Sequence, residues 1–274
     1  MNELAGHLRL RAAARTAGRT TLTDQSFRAP FHISKPYWDA DTRTLVVQVV
    51  NPTAGILGGD RLESDIASEE GASLLVTTPS ASRLFTMRET GAECWQRFSV
   101  AAGGWLEVMP EPLVPHRGSR FVQQTLIDVA NGGSLFFVDQ LLPGRIGFGE
   151  TWGWALLNLT TSVRMDGVLA MRERFTHSGL TLCAMAHAFR SGPTACFANA
   201  IFIPPAASSS EAWLAAVNEL HGGQVWCGVT ALRTAGYSIK IVAPDPLSLR
   251  QTIHAVRERL AVVAPALGCA LRKL

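Results

Sequence analysis

FVQQTLIDVANGGSLFFV, residues 121–138, holds two apolar, β-rich runs on either side of Asn131-Gly132-Gly133. Asn-Gly and Gly-Gly accept positive φ, so the spacing predicts a strand over 121–129, a tight turn, and a strand over 134–138. The same unit recurs to both sides. Residues 94–100 and 105–109 flank Gly103-Gly104, and 155–164 and 168–175 flank Asp166-Gly167. In the last of these, Leu157, Leu159, Thr161 and Val163 alternate with Asn158, Thr160, Ser162 and Arg164, a period of two that gives one drier and one wetter face. Residues 73–78 are also β-rich and stop at Pro79. The middle of the chain therefore reads as a run of antiparallel hairpins.

Upstream, Leu8 and Leu10, then residues 20–23, suggest two short strands, and residues 30–36 are extended between prolines. Asp39-Ala40-Asp41 is a turn into an apolar strand ending at Val50. That strand runs into Asn51-Pro52-Thr53-Ala54-Gly55-Ile56-Leu57-Gly58-Gly59-Asp60, a sharp corner closed by an acid. Asp60 either bonds its own turn backbone or stands at the corner for function. The glycine spacing is not that of a nucleotide cradle, and no Gly-Lys-Ser/Thr comes after it. After residue 200 the pattern turns helical. Residues 208–211 read as a cap before 212–217, with Gly222 past the end. A second helix starts at Asp245-Pro246 and carries the stripe Leu249, Ile253, Val256 and Leu260, with Pro265 beyond it. No linker breaks the chain, so residues 1–274 form one domain, hairpins over about 8–200 and a helix-containing part over about 208–274.

The 274 residues are 47% hydrophobic and 17% charged, apolar enough to suggest that a partner covers some of the surface. No stretch has the length of a membrane span, and the basic N-terminus (Arg9, Arg11, Arg15, Arg19) has no apolar segment behind it to make a signal peptide. A net charge of +3 is too small and scattered to argue for nucleic acid. Five cysteines without a Cys-x-x-Cys pair indicate neither a disulfide framework nor a zinc knuckle, and reduced thiols in a cytoplasm are the expectation.

Catalytic motifs are absent: there is no Gly-x-Ser-x-Gly and no His-Glu-x-x-His. Ser80 and Ser82 lie in a Thr-Thr-Pro-Ser-Ala-Ser turn with no histidine near in sequence, which leaves a nucleophile reading little support. His177, Cys183, His187 and Cys196 are soft ligands at a spacing that matches no metal code along strands or loops, and His116 reads as a loop residue, where an exposed imidazole would serve as a transient ligand. The carboxylates are the sharper set. Asp60, Asp139 and Glu150 each follow apolar residues or glycine, with Arg145 the local partner for either of the last two. They are structural ion pairs, the walls of a wet passage that relays a divalent cation, or an Asp139/Glu150 acid–base pair in a β-rich hydrolase or lyase.

Taken in order, five pieces resemble the urease accessory protein UreD family, called UreH in some organisms. They are Pro30-Phe31 to Lys35-Pro36-Tyr37, the corner 51–60, Gly71-Ala72 to Thr77-Thr78-Pro79-Ser80-Ala81-Ser82-Arg83 with Gln96, then Trp105 to Pro112, and Asp139 through Pro143-Gly144-Arg145 to Gly149-Glu150. The resemblance implies a scaffold and not an enzyme: mostly β, superhelically wound, with two helices attached. It implies binding to apo-urease, to UreF and to the GTPase UreG, and delivery of nickel through a water-filled passage. Nickel would be in transit, with no stably bound cofactor. By the match of motifs Asp60, Asp139 and Glu150 would line that passage, with Ser80, Ser82 and Arg83 in a turn beside it. There the family often has lysine followed by tyrosine. This chain has Arg83 and then Leu84-Phe85, and arginine does not give up its proton, so a structural ion pair is expected.

Overall fold

The structure is a computed structural model that describes residues 5–15, 18–189, 191–206 and 212–271. It opens with strands β1 (Ala5–Ala14) and β2 (Thr20–Arg28), then short β3 (His32–Ile33) and β4 (Tyr37–Asp39), which border β5 (Thr44–Val50). The chain continues through β6 (Arg61–Ser68), β7 (Ser73–Thr77), β8 (Ser82–Leu84), β9 (Ala92–Val100), β10 (Trp105–Met109), β11 (Leu113–Pro115), β12 (Arg120–Val129) and β13 (Ser134–Leu141). The short pair β14 (Gly144–Arg145) and β15 (Glu150–Thr151) leads to β16 (Leu156–Met165) and β17 (Val168–Phe175). Helix α1 (Gly179–Ala188), β18 (Cys196–Ile203), helix α2 (Ala212–Asn218), β19 (Trp226–Ala231), β20 (Tyr237–Ala243) and helix α3 (Pro246–Leu260) complete it.

Two sheets result. The first runs β17-β16-β12-β9-β6-β1-β2 and the second β19-β20-β18-β13-β10-β7-β5-β3. In the first, β6, β9, β12 and β16 are parallel neighbours, and in the second β5, β7, β10 and β13 are. From β5 to β13 the chain thus passes repeatedly from one sheet to the other and winds into a coil. Gly71, Gly103 and Gly132, about 30 residues apart, sit at the same place in successive coils. Their turns are closed by Ala72, Gly104 and Gly133 amides donating to the carbonyls of Glu69, Ala101 and Ala130 at 3.0, 3.0 and 2.9 Å. The corners also bond to one another, Gly103 N to Gly132 O at 3.0 Å and Ser134 N to Gly104 O at 2.9 Å.

The expected β-rich superhelical arrangement is present, but the hairpins at Gly103-Gly104 and Asn131-Gly132-Gly133 are not. The strands flanking those turns lie in different sheets and pair with strands one coil away. A glycine turn reverses a chain equally well within one sheet or between two, so turn chemistry alone does not choose. Asp166-Gly167 does join an antiparallel pair, β16 with β17. The two early strands are longer than expected and pair with each other, with β1 also parallel to β6.

Because stacking is parallel and in register, inward positions line up across strands. Leu10, Ile66, Phe98, Ile127 and Val163 form one such ladder in the first sheet. It meets Val47, Leu74, Leu106, Phe137 and Ile201 of the second, with the Phe98 and Phe137 rings 5.6 Å apart. The outward face of the second sheet is covered by α2 and α3. Helix α3 starts as the sequence indicates, Asp245 accepting from the Ser248 amide at 2.9 Å, and the predicted stripe is buried. Each of those four side chains is worth roughly 1.5–3 kcal/mol. The cap predicted at 208–211 lies outside the described residues. A third helix, α1, falls where strands or loops were expected. Its apolar residues make no stripe, but Ser178 caps it and Gly179 fits against Trp152, where a Cβ would stand 1.7 Å from the carbonyl oxygen.

One polar contact crosses this apolar layer. Glu107, fully buried on β10, accepts from Arg257 of α3 at 2.6 and 3.1 Å, and Arg257 also donates to Cys269 O at 3.1 Å. Burial pushes the Glu107 carboxyl up, and the guanidinium pulls it down. Arg257→Met strands a buried carboxylate and is expected to cost about 3–5 kcal/mol, while Glu107→Met/Arg257→Met recovers much of that loss. Urea unfolding of the three chains checks it. At the corners, Gly103→Ala is expected to cost about 1–2 kcal/mol from φ of 66° alone, since the nearest atom to its Cβ would be 3.9 Å away. Gly104→Ala is expected to cost more, because its Cβ would meet Glu69 O at 2.9 Å. Thermal unfolding ranks the two.

Candidate functional site

Two residues back along the coil from the apolar ladder, the inward positions turn polar. Ser64, Gln96, Thr125, Thr161 and Glu173 occupy one register across β6, β9, β12, β16 and β17. Four strand spacings make this rung roughly 19 Å long. Thr125 donates to Gln96 Oε1 at 3.0 Å. The second sheet answers with Asp139, Asn199 and Lys240, paired in register on β13, β18 and β20. Between the sheets here lies a cavity of ≈ 340 Å³. Thr53 and Ser80 from loops and Ser82 and Arg83 of β8 line it, as do Asp139, Glu173 and Asn199.

The sequence-level candidates separate in the structure. Asp139 lines the cavity. Its carboxylate is enclosed by protein and accepts from the Thr161 hydroxyl at 3.5 Å. Burial pushes its pKa up to about 7. The Thr161 contact and Lys240 act to lower it, and Glu173 to raise it. Ser80, Ser82 and Arg83 line the cavity as well, held in a turn where Thr78 accepts from the Glu111 amide at 2.8 Å and the Ser82 amide donates to Pro112 O at 2.9 Å.

Asp60 does not line the cavity. Its Oδ2 accepts from the Leu57 amide at 2.8 Å, so it braces its own turn. That turn lies against the next long loop, with Ile56 N donating to Arg83 O at 2.8 Å and Gly59 N to Gly91 O at 2.9 Å. Gly55 permits the approach, since a Cβ there would be 2.6 Å from Arg83 O. The corner therefore shapes the cavity wall by backbone contact. Glu150 is outside the lining too, and forms a two-bond ion pair with Arg145 at 3.0 and 2.6 Å that draws its pKa down. Asp139 and Glu150 do not share this cavity, as an acid–base pair would require.

His116 is buried and not exposed. Its ring packs edge-on against Phe85 at 5.0 Å, and burial, with Arg145 and Arg83, lowers its pKa against a smaller opposing effect of Glu150. His177 and His187 are exposed, Cys183 is half-buried on α1, and Cys196 is buried on the helix-covered face of the second sheet, so the structure does not collect them. Among the described residues no three His, Cys, Asp or Glu side chains are grouped to hold a metal. Cys94 lines the cavity, and burial first, with Asp139 second, pushes its thiol up to about 12.

Glu173, Asn199 and Lys240 do not stand out in the sequence. The signal is faint but present: Glu173 falls between Met171 and Phe175, and Asn199 between Phe197 and Ile201, a single polar residue in each inward-facing apolar row.

Comparison with known proteins identifies the family. The family model described as UreD urease accessory protein matches residues 4–272. The urease accessory protein UreD of Opitutus terrae is 57% identical over 272 residues, 99% of this chain and 100% of that protein. That of Yersinia enterocolitica is 39% identical over 143 residues, 52% of this chain and 44% of its own length. With a family model spanning nearly every residue and a relative aligned end to end, the chain belongs to the UreD family of urease accessory proteins.

Proposed function

We propose that this chain is a non-catalytic scaffold that binds apo-urease, UreF and UreG and passes nickel through its internal cavity toward the urease active site. The observation that carries the reading is the polar rung ending at Glu173, faced by Asp139 of the second sheet, inside an otherwise apolar sandwich. Carboxylate, amide and hydroxyl oxygens hold a divalent cation loosely, which suits transit. Burial and the nearby Asp139 raise the pKa of Cys94, the thiol in the cavity wall, so a proton competes with the ion there. Large apolar side chains at the surface, Leu180 at 81% and Phe148 at 76% exposure, fit a chain that works bound to others. No described helix is long and apolar enough to cross a membrane, and free cysteines suit a reducing cytoplasm.

The test is urease activation in cells that carry the urease subunits and the other accessory proteins. Asp139→Ala is expected to lower urease activity and nickel content several-fold while UreF and apo-urease still co-purify with the chain. Glu150→Ala, outside the cavity, is expected to leave both near the unsubstituted level. Loss of the complexes with Asp139→Ala would instead make that acid structural, and a chain that activates no urease would defeat the reading.

The pKa of Asp139 adds a pH dependence. Its folded value, about 7, lies above the ordinary 3.8, so the folded chain binds the proton more tightly than the unfolded one. The carboxylate then costs stability progressively as pH rises from about 4 to about 7, and the full cost stands above pH 7. Asp139→Asn is accordingly expected to raise the melting temperature more at pH 8 than at pH 5.5. Nickel binding to the unsubstituted chain, read by calorimetry, is expected to weaken as pH falls below about 7, because the proton competes for the carboxylate.

A further inference from the structure

The two polar ladders meet at one end of the cavity. Asn199 Nδ2 donates to Glu173 Oε1 at 3.1 Å, and the Lys240 ammonium donates to Glu173 Oε2. Asp139 sits beside them on the neighbouring strand, and among the described residues no ion pair reaches it. Two carboxylates thus face one gap with a single ammonium between them and solvent. The Lys240 side chain is 49% exposed and that of Glu173 28%, so the ammonium approaches from the outer side. An ion pair that open holds weakly, and the four-carbon stem of lysine lets the head group swing into water.

We infer that Lys240 is a displaceable counter-ion. It holds the Glu173 carboxylate in place while the cavity is empty and swings outward when a divalent cation takes Glu173 and Asp139. This rests on reading the cavity as a cation passage. The chemistry is a competition for charge. Without the ammonium, two neighbouring carboxylates would repel each other when the cavity is empty and grip an arriving dication when it is not. With it, the dication must displace a cation to bind, so it binds more weakly and leaves more easily. Arginine would serve less well, since its planar fork would bind the Glu173 carboxylate with two bonds and give way less readily. Lys240 is therefore a positioning residue that acts through Glu173. The charged and titratable groups at this end are Asp139 on β13, Glu173 on β17 and Lys240 on β20, with the neutral thiol of Cys94 on β9 also in the wall.

The experiment is calorimetric titration of the full chain with Ni²⁺ alone at pH 8, where Asp139 is ionised. Lys240→Met is expected to bind Ni²⁺ about two- to fivefold more tightly than the unsubstituted chain, and Lys240→Gln to do the same. Lys240→Arg is expected to bind no more tightly, and Lys240→Met/Glu173→Gln to lose the gain. A purely structural lysine would lower the melting temperature without raising affinity. Equal or weaker Ni²⁺ binding by the folded neutral variants, Met or Gln, overturns the assignment. The passage reading is scored separately, by nickel in urease with Asp139→Ala. Tighter binding by Lys240→Met with no effect of Asp139→Ala on urease leaves the counter-ion standing and removes the passage. The reverse pair of results does the opposite.

Discussion

Parallel stacking in register makes each inward position of one coil the neighbour of the same position in the next. The rest of the interior is set by that constraint. Where the position carries Leu, Ile, Phe or Val, a continuous apolar ladder forms, as from Leu10 to Val163. Where it carries a hydroxyl, amide or carboxyl group, the polar groups are also forced together, because the backbone ladder leaves them no other neighbour. A polar residue that would be an isolated cost in a globular core becomes part of a row. Thr125 and Gln96 bond each other for that reason. The cavity is what remains where such a row cannot be packed as tightly as the aliphatic ladder beside it.

The two outer faces solve different problems. The first sheet turns charge to water, with pairs such as Arg9–Asp24 at 3.1 Å and Arg97–Asp128 at 3.2 Å, open enough to add little stability. The second sheet is sealed by α2 and α3, and there the chain commits to a buried pair, Glu107 with Arg257. Coupling of β10 to α3 through a carboxylate and a guanidinium fixes the rotation of the helix on the sheet more narrowly than aliphatic contacts would. The guanidinium also binds Cys269 O, so the segment after the helix is drawn into the same contact.

Much of this was legible in the residues. Strand positions and the stripe of α3 with its Asp245 cap come from period and turn chemistry. Partnership of strands did not. The residues around Gly103 and Gly132 carry the same turn signal as those around Asp166-Gly167, and only the last is a hairpin. Helix α1 was hidden by an apolar composition without a stripe. Glu173 was hidden because Arg172 and Arg174 flank it, and Lys240 because a lone lysine in an apolar strand names no partner; what distinguishes them is the face they occupy once sheets are paired. Asp60 and Glu150 stand in conspicuous motifs, and in the structure one braces a turn and the other holds Arg145.

Strand β1 lies parallel to β6 along eight residue pairs, from Ala5 with Arg61 to Ala12 with Ser68. The ribosome therefore makes β1 more than fifty residues before the strand on which it rests. Until β6 emerges, β1 and β2 have only each other, and a lone two-stranded hairpin is marginal in water. Strand β1 is thus among the segments that must wait to be secured. A nascent chain of this kind exposes an unsatisfied sheet edge early, and the time it spends in that state is set by the rate of translation.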